Sequence, residues 1–198
     1  MTLHARLTAA LARAPTAPLE DEAHFGAPAG GHVEAAVLVP FTDRAEPGII
    51  LTQRPQWLRS HGGQVAFAGG KADDHDADLI DTALREAEEE LGINRRDVRV
   101  VGAADAYLSG SGFRITPVLA VIPPDLVLDP NPDEVEAWFE VPAATLFDAD
   151  GYTRAQAHWE GAERSYSDRI WQDRRIWGVT AGIIVNLSRR LNLSAVLA

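Results

Sequence analysis

Apolar positions along the chain follow two rhythms. Leu3, Leu7 and Leu11 recur four apart within residues 2–13, which predicts a short amphipathic helix. A stretch rich in proline and glycine follows, residues 15–31, with turn formers throughout. Residues 33–41 (VEAAVLVPF) and 48–54 (GIILTQR) are apolar runs of strand length, separated by the turn TDRAEP. Residues 57–70 read as a loop leading into a short strand at 64–67. Over residues 78–91, Ile80, Leu84, Ala87 and Leu91 return at helical spacing, and Gly92 stands where a C-cap glycine belongs. Strands are expected at 98–106 and 113–121, before the break at Pro123 and Pro124, and in the alternating EVEAWFEV of 134–141. A short helix over VPAATLF and a helix of about four turns over RIWGVTAGIIVNLSRRL complete the pattern. Residues 152–173, rich in Arg, Asp and Trp, fit neither rhythm and are open to reading as lid, interface or scaffold. With no repeat and no dividing linker, this order predicts one α+β domain.

Composition narrows the function. The 198 residues carry a formal net charge of −11, which opposes broad electrostatic binding to nucleic acid or to anionic membranes. A phosphorylated small molecule would also be repelled, so it needs a local basic cluster or a bound cation. The absence of cysteine removes disulfides, thiolate metal sites and cysteine nucleophiles. It also fits a reducing compartment. The N-terminal apolar run is too broken for a signal peptide, and the expectation is a soluble, cytoplasmic protein.

Chemistry concentrates in GGKADDHDADLIDTALREAEEELGI, residues 69–93. Glu86, Glu89 and Glu90 lie at i, i+3 and i+4 on the expected helix, which puts their carboxylates on one face, opposite the apolar residues and free to look out into a cleft. Charge runs are most often plain solvated faces. Three clustered oxygen donors nonetheless suit a hard cation such as Mg²⁺ or Mn²⁺. The surroundings favour a site: a Gly-Gly turn precedes the helix and a glycine closes it. Arg85, beside Glu86 and four residues before Glu89, can orient a carboxylate.

Arg85-Glu86-Ala87-Glu88-Glu89-Glu90-Leu91-Gly92-Ile93 resembles the second half of the Nudix signature, R-E-U-x-E-E-x-G-U with U apolar. Gly70 looks like the glycine that opens that box. Asp76 looks like its intermediate acid, with Asp in place of Glu and one extra residue before Arg85. Upstream, Ile50-Leu51-Thr52, Arg59, Gly63 and Phe67-Ala68-Gly69-Gly70 resemble the signature of coenzyme A-directed Nudix enzymes, with Ala68 replacing its proline. Ser111-Gly112-Phe113, Thr116-Pro117-Val118 and Asn131-Pro132-x-Glu134-Val135 look like further pieces of that coenzyme A diphosphatase branch.

The resemblance implies the Nudix α/β/α sandwich, a mixed β-sheet between helices. Residues 1–31 would form an N-terminal helix and linker packed on the domain, and 32–198 the Nudix domain with its C-terminal helix. It implies Glu86, Glu89, Glu90 and the Gly70 carbonyl as metal ligands for Mg²⁺ or Mn²⁺. Catalytic work would fall to Glu86, Glu89 and Arg85, with Glu134 as the loop candidate for general base and Glu136 behind it. Arg59 and Lys71 flank the same turn and are candidates to bind phosphate, the 3′-phosphate of coenzyme A included. Phe113 is a candidate substrate contact. His61 reads as a loop residue, and the five tryptophans as core or interface. The expected reaction is hydrolysis of coenzyme A to 3′,5′-ADP and 4′-phosphopantetheine. Alternatives are a dinucleoside polyphosphate, a nicotinamide dinucleotide or a nucleoside triphosphate as substrate, and a catalytically silent nucleotide-binding module. Neither nucleic acid nor membrane is an expected partner, and a homodimer stays open.

Overall fold

The computed structural model describes residues 1–14, 31–58, 61–159 and 162–197. Most of the turn-rich stretch at 15–31 lies outside the described residues. Helix α1 (Leu3–Ala12) opens the chain, followed by β1 (Val33–Thr42), β2 (Gly48–Gln53), β3 (Val65–Ala66) and β4 (Gly69–Lys71). Helix α2 (Leu79–Leu91) precedes β5 (Arg99–Ala103), β6 (Tyr107–Leu108), β7 (Phe113–Ile122), β8 (Ala137–Pro142) and the single turn α3 (Ala143–Leu146). Three strands follow, β9 (Thr153–Trp159), β10 (Ala162–Trp171) and β11 (Arg174–Trp177). Helices α4 (Gly178–Leu191) and α5 (Leu193–Leu197) close the fold.

The central sheet runs β3-β2-β1-β7-β5, with β4 added to β1, β6 to β7 and β8 to β2. Its spine is the ten-residue parallel pairing of β1 with β7, and the other pairs are antiparallel. Past the exposed Glu34–Arg114 pair at their start, both spine strands read as largely apolar runs because helices cover both faces. Alternate side chains enter opposite cores. Ala36, Leu38, Val118 and Ala120 meet Ala83, Ala87 and Leu91 of α2. On the reverse face Val39, Phe41, Leu119 and Val121 meet Leu3 and Leu7 of α1 and Ile183, Ile184 and Leu187 of α4. This is the mixed sheet between helices that the resemblance implied. Among the described residues no helix is long and apolar enough to cross a membrane.

Residues 152–173 resolve into structure that the sequence pattern did not give. Strands β9, β10 and β11 form a separate three-stranded antiparallel sheet, so the last helix begins at Gly178 and the preceding RIW belongs to β11. The turn between β10 and β11 holds Gln172 at φ 54, where asparagine or glycine is the usual signal. Ile170 is left exposed, so the strand lacks a clean in-out alternation. The small sheet docks through Trp171, stacked on Phe139 at 5.8 Å between ring centroids, and through Arg174, which lies over the same ring and bonds Gln53. Of the tryptophans, Trp57, in a turn, is largely exposed and Trp138 on β8 partly so, so neither belongs to the core, and the Trp159 side chain lies outside the described residues. Trp177 packs edge-on against Tyr166.

Candidate active site

Helix α2 is delimited by local chemistry. Asp78 caps its first turn by accepting from the Asp81 N–H at 2.8 Å. Gly92 ends it at φ 68, a left-handed conformation that glycine enters without a Cβ penalty. The loop of residues 129–135 is then fastened to the last carbonyls of the helix. The Asp129 N–H donates to Leu91 and the Asn131 N–H to Glu90, each at 2.9 Å. Asn131 Nδ2 reaches Glu134 Oε1 at 3.3 Å, which holds that carboxylate at the C-terminal end of α2.

Gly69 and Gly70, expected as a turn, lie instead in strand β4, which pairs with β1 and runs against the same helix. Gly70 pairs with Ala36 of β1, and a Cβ on it would come within 2.5 Å of Glu86 Oε1. Only glycine lets that carboxylate sit on the strand. Arg85 organises the acids around it. Its Nη1 donates to Glu86 at 2.8 Å and to Glu89 at 3.1 Å, and its Nη2 to the Lys71 carbonyl at 3.1 Å. Its strongest hold is a fork on Asp76, 2.9 and 3.0 Å from Nε and Nη2. Asp76 also accepts from Thr82 Oγ1 and from the Asp73 N–H. The Arg85 hydrogen bond holds the Asp76 carboxyl well below the usual carboxylate range, against the opposing effect of burial. The departure at Asp76 in the signature is therefore an anchor for the arginine.

The three glutamates do not share one exposed face. The Glu89 side chain is 53% exposed and that of Glu86 14%, while Glu90 is 3% exposed. This corrects the reading of Glu90 as looking out into a cleft. It continues the buried stripe Ala83, Ala87 at i+4 and i+7, and it lies in the seam between α2 and β4. There its carboxylate accepts from the Gly69 N–H and is faced by Glu134 and Glu86, with Arg54 as the counterweight. Burial first, then Glu134, pushes Glu90 up to about 8, and burial raises Glu86 as well.

Arg54 was missed by sequence reasoning. It sits at the end of the otherwise apolar β2 segment, its Nε buried without a hydrogen-bond partner. A lone charge closing an apolar strand was the available signal. Of the other expected residues, Lys71 is on β4 with its side chain exposed. Phe113 begins β7, half-buried, and its N–H bonds Ser109 Oγ. Glu136 accepts from the Gln56 N–H at 3.3 Å. His61 is a turn residue at φ 58 that bonds Gln64. Arg59 lies outside the described residues.

As they stand, no three Asp, Glu or His side chains converge on one point among the described residues. Glu86 is instead held by Arg85. The donor set still fits a hard divalent cation. It is all oxygen, and it gathers a buried Glu90 beside two like-charged neighbours, a repulsion that a cation would relieve.

A NUDIX domain model matches residues 31–160. The chain belongs to the Nudix family. Its Nudix relatives include a hydrolase named NudL from Escherichia coli, 43% identical over 166 residues, which span 82% of this chain and 84% of that one. The NudL of Cronobacter sakazakii is 45% identical over 162 residues, 80% of this chain and 82% of the relative. A solved Nudix hydrolase from M. smegmatis, RenU, shares the fold at TM-score 0.50 and 21% identity, covering 62% of this chain and 81% of that one. This Nudix protein is accordingly a hydrolase of pyrophosphate bonds, in a family that generally requires divalent metal ions and acts on nucleotide-type small molecules.

Proposed function

We propose that this Nudix hydrolase cleaves the diphosphate of coenzyme A, or of an acyl or oxidised derivative, to 3′,5′-ADP and the 4′-phosphopantetheine part. The cleavage rests on one observation: the acidic cluster tethered by Arg85 at the β4–α2 seam, with Glu134 brought beside it from a second loop. The choice of substrate is supported by residues 50–70, which resemble the coenzyme A-directed signature. Their described parts are joined: Thr52 of β2 bonds the Ala66 carbonyl of β3, and β3 leads on to Gly70 against Glu86.

Glu86, Glu89, Glu90 and the Gly70 carbonyl would hold Mg²⁺ or Mn²⁺. The chemistry such an ion would supply there is neutralisation of the diphosphate and a more acidic, positioned water for in-line attack at phosphorus. Arg85 keeps Glu86 and Glu89 oriented. Glu134, fixed by Asn131, takes the proton of the attacking water, with Glu89 as the helix-borne alternative. The water oxygen bonds one phosphorus, the anhydride P–O bond breaks, and the second phosphate leaves with the electron pair. Lys71 and Arg59 bind phosphate oxygens, and Phe113 contacts the substrate.

The test is a panel of coenzyme A, a dinucleoside polyphosphate, NADH and a nucleoside triphosphate at equal concentration with Mg²⁺, products resolved by chromatography. Preferential release of 3′,5′-ADP is the expected result. Faster turnover of another diphosphate overturns the substrate assignment. Binding of coenzyme A without turnover of any compound points instead to a nucleotide-binding module.

A further inference from the structure

The acidic cluster occupies the α2 face of the sheet. On the opposite face, α1, α4 and α5 enclose a cleft of about 450 Å³ whose walls carry Arg6, Arg13 and Arg190 among Ala10, Leu191 and Val196. In a chain of net charge −11, three guanidiniums around one cleft reverse the local sign. Arg190 is already paired, and the other two carry the reversal. The Arg190 side chain, 6% exposed, is ion-paired with Asp105 at 2.7 Å. Arg6 gives Nη1 to the Val196 carbonyl at 2.9 Å, and its Nε is buried without a hydrogen-bond partner. Arg13 gives Nε to the Ala9 carbonyl at 3.0 Å. Neither Arg6 nor Arg13 has a carboxylate partner among the described residues. An anion in the cleft would supply the counter-charge that Arg6 and Arg13 lack among the described residues.

We propose that this cleft is a second ligand site, for a phosphate monoester on a small apolar body, separate from the site that cleaves the diphosphate. Two guanidiniums lack a carboxylate partner among the described residues, and a phosphate monoester carries about −1.5 to −2 at neutral pH, where a carboxylate carries about −1. The guanidinium fork suits phosphate oxygens. Ala10, Leu191 and Val196 offer apolar wall to the rest of the molecule. A ligand there would bridge α1 to α4 and α5, tying the N-terminal helix to the C-terminal ones.

Calorimetric titration of the full chain with phenyl phosphate in excess EDTA tests this, with benzoate as the monoanion of matching body. The expected result is one saturable site per chain, about tenfold or more weaker for benzoate. Arg6→Gln and Arg13→Glu should each weaken phenyl phosphate by about tenfold or more, with coenzyme A hydrolysis and the circular dichroism spectrum unchanged. Arg13 is exposed at the C-cap of α1, so its reversal tests the site without disturbing a packed side chain. Glu86→Gln should leave phenyl phosphate binding intact. Absence of saturable binding up to about 10 mM, or equal binding by the wild type and both arginine variants, overturns the proposal. Loss of binding in Glu86→Gln alone would assign the anion to the catalytic face and equally overturn it.

Discussion

Glu90→Gln separates what the buried carboxylate does for the fold from what it does for the reaction. In the metal-free protein, burial and Glu134 push Glu90 from an ordinary value of 4.5 up to about 8. A folded-state value above the unfolded one means that the native protein binds the extra proton. The stability contributed by this group is therefore complete below about pH 4.5 and falls by about 1.4 kcal/mol per pH unit until about pH 8. The full span corresponds to about 5 kcal/mol. Local relaxation and water around the ionised carboxylate offset part of this, leaving about 2–3 kcal/mol above pH 8. Glutamine keeps a carbonyl to accept from the Gly69 N–H and carries no charge at any pH. In chelator, urea unfolding at pH 5, 7 and 9 should show the variant level with the wild type at pH 5 and progressively more stable above it. Added Mn²⁺ should then stabilise the wild type and leave the variant unmoved, because a ligand that binds only the native state raises stability by mass action. A variant less stable than the wild type at pH 9 in chelator, or a difference that ignores pH, would refute the reasoning.

Asp76 should behave with the opposite sign. Its carboxyl is held below the usual range, so its contribution is present above about pH 4 and is lost as pH falls through the depressed value. Asp76→Asn should cost about 2 kcal/mol at pH 7, with the gap to the wild type closing in acid unfolding curves. Gly70→Ala drives a methyl into the Glu86 carboxylate and should lower kcat by about tenfold or more, read by steady-state kinetics, with circular dichroism unchanged. Leu7→Ala opens a hole where α1 meets the sheet and should cost about 2–5 kcal/mol in urea melts, which checks that the N-terminal helix shares the domain core.

The parts of this fold that were legible in sequence are those governed by neighbours along the chain. The apolar runs of β1 and β7, the helical spacing of α2 and its Gly92 stop are local signals, and the structure repeats them within a residue or two. Strands β9 to β11 escaped because Gln172 closes their turn without the usual turn residues and Ile170 faces outward. In the site, helical spacing brought Glu86, Glu89 and Arg85 together correctly. It mistook Glu90 for a surface acid, because the burial comes from β4, a strand of three residues that leaves no periodic trace. The same long-range pairing hides the roles of Arg54 and Asn131, each of which reaches the acids from a distant part of the chain.

The most direct measurement is hydrolysis of coenzyme A by the purified protein with Mg²⁺ or Mn²⁺, products resolved by chromatography, for the wild type, Glu86→Gln and Glu134→Gln. Release of 3′,5′-ADP by the wild type, abolished by chelator and reduced by about a hundredfold or more in both variants, is the predicted result. Wild-type rates in Glu86→Gln, or an intact coenzyme A alongside brisk cleavage of another diphosphate, would contradict it.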